Sequence, residues 1–108
     1  MKSNDSYPVL IEIFGERHNQ DLKWGEQNHP DGTGPERLRQ IISRRDAAKT
    51  ICDREHKAGR GTWEQILTEE YLEVLAESDP ELLRAELIQL AAVAVEWVEH
   101  IDRRQLDA

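Results

Sequence analysis

The stretch that decides the fold is TWEQILTEEYLEVLAESDPELLRAELIQLAAVAVEWV, residues 62–98. Thr62 is a favoured N-cap residue, and the helix that follows it is expected to reach about Glu77. Ser78-Asp79-Pro80 predicts a compact turn, because Ser and Asp cap helices and proline suits the first helical turn. The next helix is expected to run from this turn to about Arg104. Two helices joined by so short a turn are expected to pack antiparallel.

Two further helices are predicted upstream of this stretch. The apolar residues after Pro8 open a first helix that continues to about Lys23. Residues 24–36, WGEQNHPDGTGPE, are dense in turn-forming residues and are expected to form a long loop that can serve as a substrate lid. A second helix is expected over residues 36–57, where Ser43 and Asp46 can divide it in two. Gly59 is expected to end it, because glycine favours helix C-termini.

The composition fits one all-α domain, residues 1–108, with residues 1–7 as a flexible tail. The formal net charge of −8 disfavours binding to duplex nucleic acid, because phosphates are neutralised by Lys and Arg. The single cysteine, Cys52, excludes an internal disulfide and predicts a cytoplasmic protein. No segment reaches the roughly 18 apolar residues of a membrane span, so no membrane partner is expected.

The middle of the last helix, Leu87 to Val98, is apolar on nearly every side. A helix that is apolar all round is expected to be buried on all sides. In a chain of 108 residues, this predicts a subunit interface as well as a core. We therefore expect a four-helix bundle completed by oligomerisation, as a homodimer or a tetramer.

Acidic residues recur at helical spacing on the third and fourth helices. The third carries Glu69-Glu70-x-x-Glu73, and Glu86-x-x-Gln89 follows after 12 intervening residues on the fourth. Residues at i and i+3 share one helix face, so antiparallel packing is expected to bring Glu70, Glu73, Glu86 and the Gln89 amide together. Oxygen ligands from facing helices are suited to a hard cation such as Mg2+, with Mn2+ as an alternative ion. The plainer interpretation is a solvated acidic face, which is the usual setting of helical glutamates.

These motifs resemble the signature of the MazG-like all-α nucleoside triphosphate pyrophosphohydrolases, E-E-x-x-E followed after a gap by E-x-x-D. Most of residues 12–104 also looks like small MazG-like proteins of actinobacteria and their phages. The segments that carry this wider resemblance are Glu16-Arg17, Gln20-Asp21-x-Lys23-Trp24-Gly25, His29-Pro30-x-Gly32, Gly61-Thr-Trp63 and Leu87–Val95.

The resemblance implies a four-helix core and Mg2+-dependent hydrolysis of a nucleoside triphosphate to a monophosphate and pyrophosphate. Glu70, Glu73 and Glu86 would be metal ligands, and Glu69 would orient or activate the attacking water. Gln89 stands where the family has Asp. Its amide oxygen can ligate a metal, but it adds no negative charge and cannot act as a base.

Four further residues are candidates for substrate binding. Trp24 can stack on a base, and packing at a helix end is the alternative. Lys23 and Lys49 can contact phosphate oxygens, although most surface lysines are simply solvated. Asp53 can join the site or form an exposed i, i+4 pair with Lys49.

Three functions remain open from the sequence. The first is a nucleoside triphosphate pyrophosphohydrolase that acts in nucleotide-pool housekeeping. The second is a catalytically weakened or inactive protein that binds a nucleotide or serves as a regulatory module, for which Gln89 is the main support. The third is a structural helical oligomer with solvated acids.

Overall fold

The computed structural model describes residues 5–35 and 39–106. They form four α-helices: α1 is Tyr7–Trp24, α2 is Arg39–Lys57, α3 is Trp63–Ala76 and α4 is Pro80–Leu106. The described part of the chain contains no strand, so the all-α prediction is confirmed. Part of the predicted tail, residues 1–4, lies outside the described residues, and the first helix begins at Tyr7.

The chain divides into two compact units. One unit combines Met1–Pro30 with Val95–Ala108, and the other is Asp31–Ala94. We call them the first and the second unit. The second contains α2, α3 and the amino-terminal part of α4, and α2 packs along α3. Its core is formed by Ile41, Leu72 and Ala76, with Ala48 and Leu75 packed against them. In the first unit, Val9 and Val95 are buried.

Helix α2 is continuous, so the predicted division at Ser43 and Asp46 is wrong. Both side chains are exposed, and Asp46 forms a 3.3 Å ion pair with Arg45. Residues with weak helix propensity are tolerated inside a helix when their side chains face solvent. Glu36, where this helix was expected to start, lies outside the described residues.

The C-terminus of α2 and the N-terminus of α3 are formed by the capping residues that the local sequence predicts. Gly59 has a φ of 77°. The amides of Gly59 and Arg60 donate to the carbonyls of His56 and Glu55, a glycine-terminated helix end that satisfies two free carbonyls. Thr62 then caps α3, because its hydroxyl accepts from the Gln65 amide while the Gln65 side chain accepts from the Thr62 amide.

The other end of α3 is capped by the chain that precedes α2. The Gly34 amide donates to the Leu75 carbonyl at 2.9 Å, and the Thr33 hydroxyl donates to the Glu77 carbonyl at 2.5 Å. These bonds satisfy carbonyl groups that a helix C-terminus leaves free. Helix α4 begins just beyond, where the Asp79 carboxylate accepts from the Leu82 amide at 3.0 Å. The predicted turn between the two helices is thus present.

The apolar middle of α4 was expected to be buried on all sides. Within this chain it is only partly buried. Val95 is buried, but Leu87, Ile88 and Val98 are exposed, Ile88 by 57%. The hydrophobic pattern of a helix shows which residues favour burial, but it does not show whether the covering surface comes from the same chain.

Candidate functional site

The acids of α3 and α4 in the second unit are close enough to perturb one another. The pKa of Glu70 is raised, first by burial and then by repulsion from Glu86, Glu69 and Glu73. The pKa of Glu86 is also raised, by burial and by the charges of Glu73 and Glu77. Like charges that lie near one another resist ionisation, so both shifts indicate that carboxylates of α3 and α4 are neighbours. We call Glu70, Glu73, Glu77 and Glu86 the acidic cluster.

One carboxylate oxygen of this cluster lacks a partner. Glu70 Oε2 is buried, and no hydrogen-bond donor reaches it from the described residues. A buried oxygen without a donor is costly, and the cost rises when the group carries charge. A proton or a cation at this oxygen would remove the cost. The hard oxygen donors of the cluster have the chemistry that Mg2+ prefers.

The carboxylates are near one another but do not converge on a single point. Among the described residues, no group of three His, Cys, Asp or Glu side chains is arranged to hold a metal ion. Glutamate side chains have three rotatable bonds, so rotamer changes alone can alter their mutual distances. The fit to Mg2+ therefore rests on the donor type and on the unpartnered oxygen of Glu70.

Glu69 interacts with α2. The Lys49 ammonium lies 3.9 Å from Glu69 Oε1 and also 3.9 Å from Asp53 Oδ2. Burial raises the pKa of the Cys52 thiol to about 11, and the nearby charge of Glu69 adds to the increase. The structure thus brings together three residues predicted for the site, Glu69, Lys49 and Asp53, and adds Cys52 to them.

Gln89 is exposed on α4, one turn after Glu86. The i, i+3 spacing puts the two residues on neighbouring positions of the helix surface. Glu86 is partly buried whereas Gln89 faces solvent, so only the first of them is held within the acidic cluster.

Lys23 and Trp24 lie at the end of α1, in the first unit. The Lys23 ammonium is 4.9 Å from the centre of the Trp24 ring, a cation–π contact. Both residues border a surface cavity of about 950 Å3, together with the ion-paired Arg17 and Asp21. A cation beside an aromatic face is chemically suited to a phosphate and a base, but the neighbouring acids Glu16 and Glu26 oppose an anion.

Two residues of these groups were missed as site candidates in the sequence. Glu77 is the residue that caps the C-terminus of α3, four positions after Glu73, and its charge adds to that of Glu73 in raising the pKa of Glu86. Cys52 is buried, with 6% of its surface exposed. It lies on α2 near Glu69 of α3, whose charge raises the thiol pKa, and no local sequence pattern indicates that the two residues are close.

No helix within the described residues combines the length and the apolar character that crossing a membrane requires. No family model matches the chain, and neither a curated protein nor a solved structure is significantly similar to it. The resemblance to MazG-like enzymes therefore stays a prediction that rests on the motif residues.

Proposed function

We propose that this protein is a MazG-like, Mg2+-dependent nucleoside triphosphate pyrophosphohydrolase of the cytoplasmic nucleotide pool. The observation that carries the proposal is the acidic cluster, in which no donor from the described part of the chain reaches a buried oxygen of Glu70. Such an arrangement destabilises the metal-free protein and is relieved by a cation. Helical bundles can hold a divalent cation with carboxylates from facing helices, and such a cation can polarise a phosphate group.

Each predicted site residue has a distinct part in this proposal. Glu70, Glu73 and Glu86 would hold the metal, with Mn2+ as an alternative ion, and the exposed Gln89 amide would add a ligand once its side chain turns toward Glu86. When bound, the metal supplies positive charge that neutralises triphosphate oxygens. Glu69 accepts a hydrogen bond from the attacking water and orients it toward the phosphorus.

The remaining predicted substrate-binding residues are assigned within each unit by itself. In the second unit, Lys49 and Asp53 beside Glu69 are the proposed contacts for the polar part of the substrate. In the first unit, the Lys23 ammonium offers a charge that suits a phosphate. Trp24 provides an aromatic face for a base. The released products are a nucleoside monophosphate and pyrophosphate.

The second candidate is a non-catalytic protein of the same fold that binds a nucleotide or regulates a partner. Its support is Gln89, which is neutral and exposed. One negative charge fewer weakens the hold on a divalent cation, since affinity for such ions rises with the number of charged ligands.

The decisive experiment measures pyrophosphate release from a panel of canonical and modified nucleoside triphosphates with Mg2+ or Mn2+. We expect release by the natural protein and its loss in Glu73→Ala. The matched control is Glu96→Ala, which removes an exposed glutamate of α4 and should keep activity. No release from any nucleotide by the folded protein would reject the enzyme.

Gln89→Asp separates an active enzyme from a weakened one. Restoring the carboxylate adds charge beside Glu86, so we expect tighter metal binding and turnover at least as fast as that of the natural protein. If neither the natural protein nor Gln89→Asp hydrolyses a nucleotide that both bind, the non-catalytic binder is favoured.

We also propose that the protein self-associates, as a homodimer or a tetramer. The support is the exposed apolar surface of α4, to which Leu82, Leu87 and Ile88 contribute. Adjacent exposed apolar side chains of this size favour burial against a partner. A second copy of the chain offers the same surface, which suits the self-complementary interface of a two-fold dimer.

A further inference from the structure

Helix α1, in the first unit, carries an exposed apolar surface along one side. Its side chains are large, and Phe14 is 76% and Leu22 75% exposed. Because successive residues of a helix point about 100° apart, these side chains fall within a stripe about 120° wide. We call the following residues the α1 stripe: Tyr7, Leu10, Ile11, Phe14 and Leu22.

Helix α1 needs a covering surface to be stable. Of its 18 residues, only Val9 is buried. The helix contains Gly15 and three β-branched residues, whose intrinsic helix propensity is low. Helices in proteins gain most of their stability from packing of an apolar face, and isolated helices of this length are marginal in water. The α1 stripe is the face that such packing would cover.

The exposed area of the α1 stripe is close to what one subunit contributes to a stable dimer. An aromatic side chain has roughly 150–250 Å2 of surface, so Tyr7, which is 67% exposed, and Phe14 offer roughly 300 Å2 between them. With the three aliphatic side chains, the exposed area reaches roughly 600 Å2, compared with the roughly 800 Å2 that each partner buries in a standard interface. The α1 stripe can therefore supply most of one interface.

The polar side of α1 favours a protein surface over a lipid surface as the occupant. Glu12, Glu16 and Lys23 lie on the side of the helix opposite the stripe, which is therefore acidic. Helices that bind membrane surfaces carry lysine and arginine on their polar face. The formal net charge of −8 also opposes an approach to anionic lipids.

Charge at the border of the stripe favours an antiparallel pair of α1 helices. Tyr7, Phe14 and Asp21 follow one another at intervals of seven residues, so they lie along one line of the helix. In a parallel pair, Asp21 would face Asp21 of the partner subunit, and facing like charges disfavour association. In an antiparallel pair centred on Phe14, Tyr7 faces Asp21 of the partner subunit, and a phenol can donate to a carboxylate.

We propose that the α1 stripe is a subunit interface, covered by the α1 stripe of a second copy that packs antiparallel about a two-fold axis near Phe14. It lies on a different helix from the exposed apolar surface of α4 formed by Leu82, Leu87 and Ile88. Two different self-complementary surfaces on one chain suit four copies with dihedral symmetry, so a tetramer is expected rather than a dimer. The number four rests on the self-association proposed for α4, whereas the α1 interface stands on the stripe alone.

Sedimentation equilibrium of Phe14→Lys tests the interface. A lysine at the centre of the stripe places two unpaired charges against each other in the interface, so the mass of the assembly should be halved. Four chains become two, and if α4 does not associate, two chains become one. An unchanged mass in Phe14→Lys would overturn the α1 interface.

Asn19→Lys is the matched control for this measurement. It adds the same charge at an exposed position of α1, about 140° around the helix from Phe14, and the mass should stay at the natural value. A natural dimer that Phe14→Lys converts to monomers would keep the α1 interface and overturn the tetramer. A natural protein that is monomeric at all concentrations would overturn both.

Cross-linking of Phe14→Cys tests the two-fold arrangement without adding a charge to the stripe. Cys52 is buried, so a short bismaleimide should react first with the introduced thiol. The two-fold axis brings residue 14 of both copies together, and a covalent dimer is expected. Asn19→Cys should remain a single chain. Equal cross-linking of the two variants, or none in either, would overturn the antiparallel pairing.

A lipid surface as the occupant of the α1 stripe predicts a different result. The natural protein would then sediment with vesicles of phosphatidylcholine and phosphatidylserine, and Phe14→Lys would abolish this binding without changing the mass of the assembly. That outcome would overturn the subunit interface. None of these measurements uses a nucleotide or a metal, so a failure of the interface is distinguishable from a failure of the proposed enzyme activity.

Discussion

Glu70 carries the least favourable carboxylate of the acidic cluster. Within residues 5–35 and 39–106, no donor reaches one of its buried oxygens, and burial together with three neighbouring glutamates raises its pKa. A raised pKa means that the folded protein binds the Glu70 proton more tightly than the unfolded chain does. The stabilisation from that proton is complete below the unfolded value of 4.5 and is lost as the pH rises through the folded pKa.

Glu70→Gln should therefore stabilise the metal-free protein at neutral pH. Relief of like-charge contacts worth about 0.2–0.5 kcal/mol each amounts to roughly 1 kcal/mol, or a few degrees in Tm. The measurement is thermal unfolding in EDTA between pH 4.5 and 7.5. The gain should shrink toward pH 4.5, because Glu70 takes up its proton as the pH falls through its raised pKa.

Glu96→Gln serves as the control for this stability measurement, because it removes an exposed carboxylate and should leave the Tm almost unchanged. A Glu70→Gln protein that is less stable than the natural one at pH 7 in EDTA would contradict the interpretation. It would mean that Glu70 has a stabilising partner in the metal-free state.

The proximity of the acids on α3 and α4 was predictable from helical spacing and a short turn. The separate environment of Glu69 was not predicted, although geometry gives its cause. Adjacent residues on a helix point about 100° apart, so Glu69 and Glu70 cannot both face α4. The sequence shows that they diverge, but only the packing of α2 shows that Lys49 and Cys52 lie on the Glu69 side.

At the scale of elements, helix ends were predicted more reliably than helix continuity. Thr62, Gly59 and the turn before α4 act as their residue types indicate, because capping depends on a few neighbouring residues. The expected division of α2 was wrong, since propensity is a weak prior that the surroundings override. The bond from Thr33 to the end of α3 spans 44 positions, and local patterns do not predict such contacts.

The capping box at the start of α3 should contribute measurably to stability. Thr62→Ala removes the hydroxyl that accepts from the Gln65 amide, and it should cost about 1 kcal/mol in the free energy of unfolding. Urea denaturation gives that free energy directly. Thr68→Ala is the matched control, because Thr68 is exposed inside α3 and alanine is the better helix former. Equal losses in the two variants would show that the cap adds nothing.

At the scale of the whole molecule, the four helices were predicted, whereas the burial of α4 was not predicted correctly. Its apolar residues favour an interior, yet Leu87 and Ile88 are exposed within one chain. Hydrophobic periodicity carries information about burial but not about which chain provides the covering surface.

Self-association should be visible in sedimentation equilibrium as a mass of two or four chains. Ile88→Lys places a charge on the exposed apolar surface and should shift the protein toward the monomer, weakening association by tenfold or more. Leu106→Lys is the control, because Leu106 is 85% exposed as the last residue of α4. A natural protein that is monomeric at all concentrations would contradict the expectation.

The close approach of His56 to Gly61 restricts how this protein can evolve. A Cβ atom at residue 61 would overlap the imidazole ring of His56, including the ring carbon nearest the backbone. Gly61→Ala must therefore displace a ring that is hydrogen-bonded to the Cys52 carbonyl. In a library of variants, Gly61→Ala should be depleted when His56 is present and accepted when residue 56 is alanine. Substitutions at residues 56 and 61 are thus expected to be correlated among descendants of this chain.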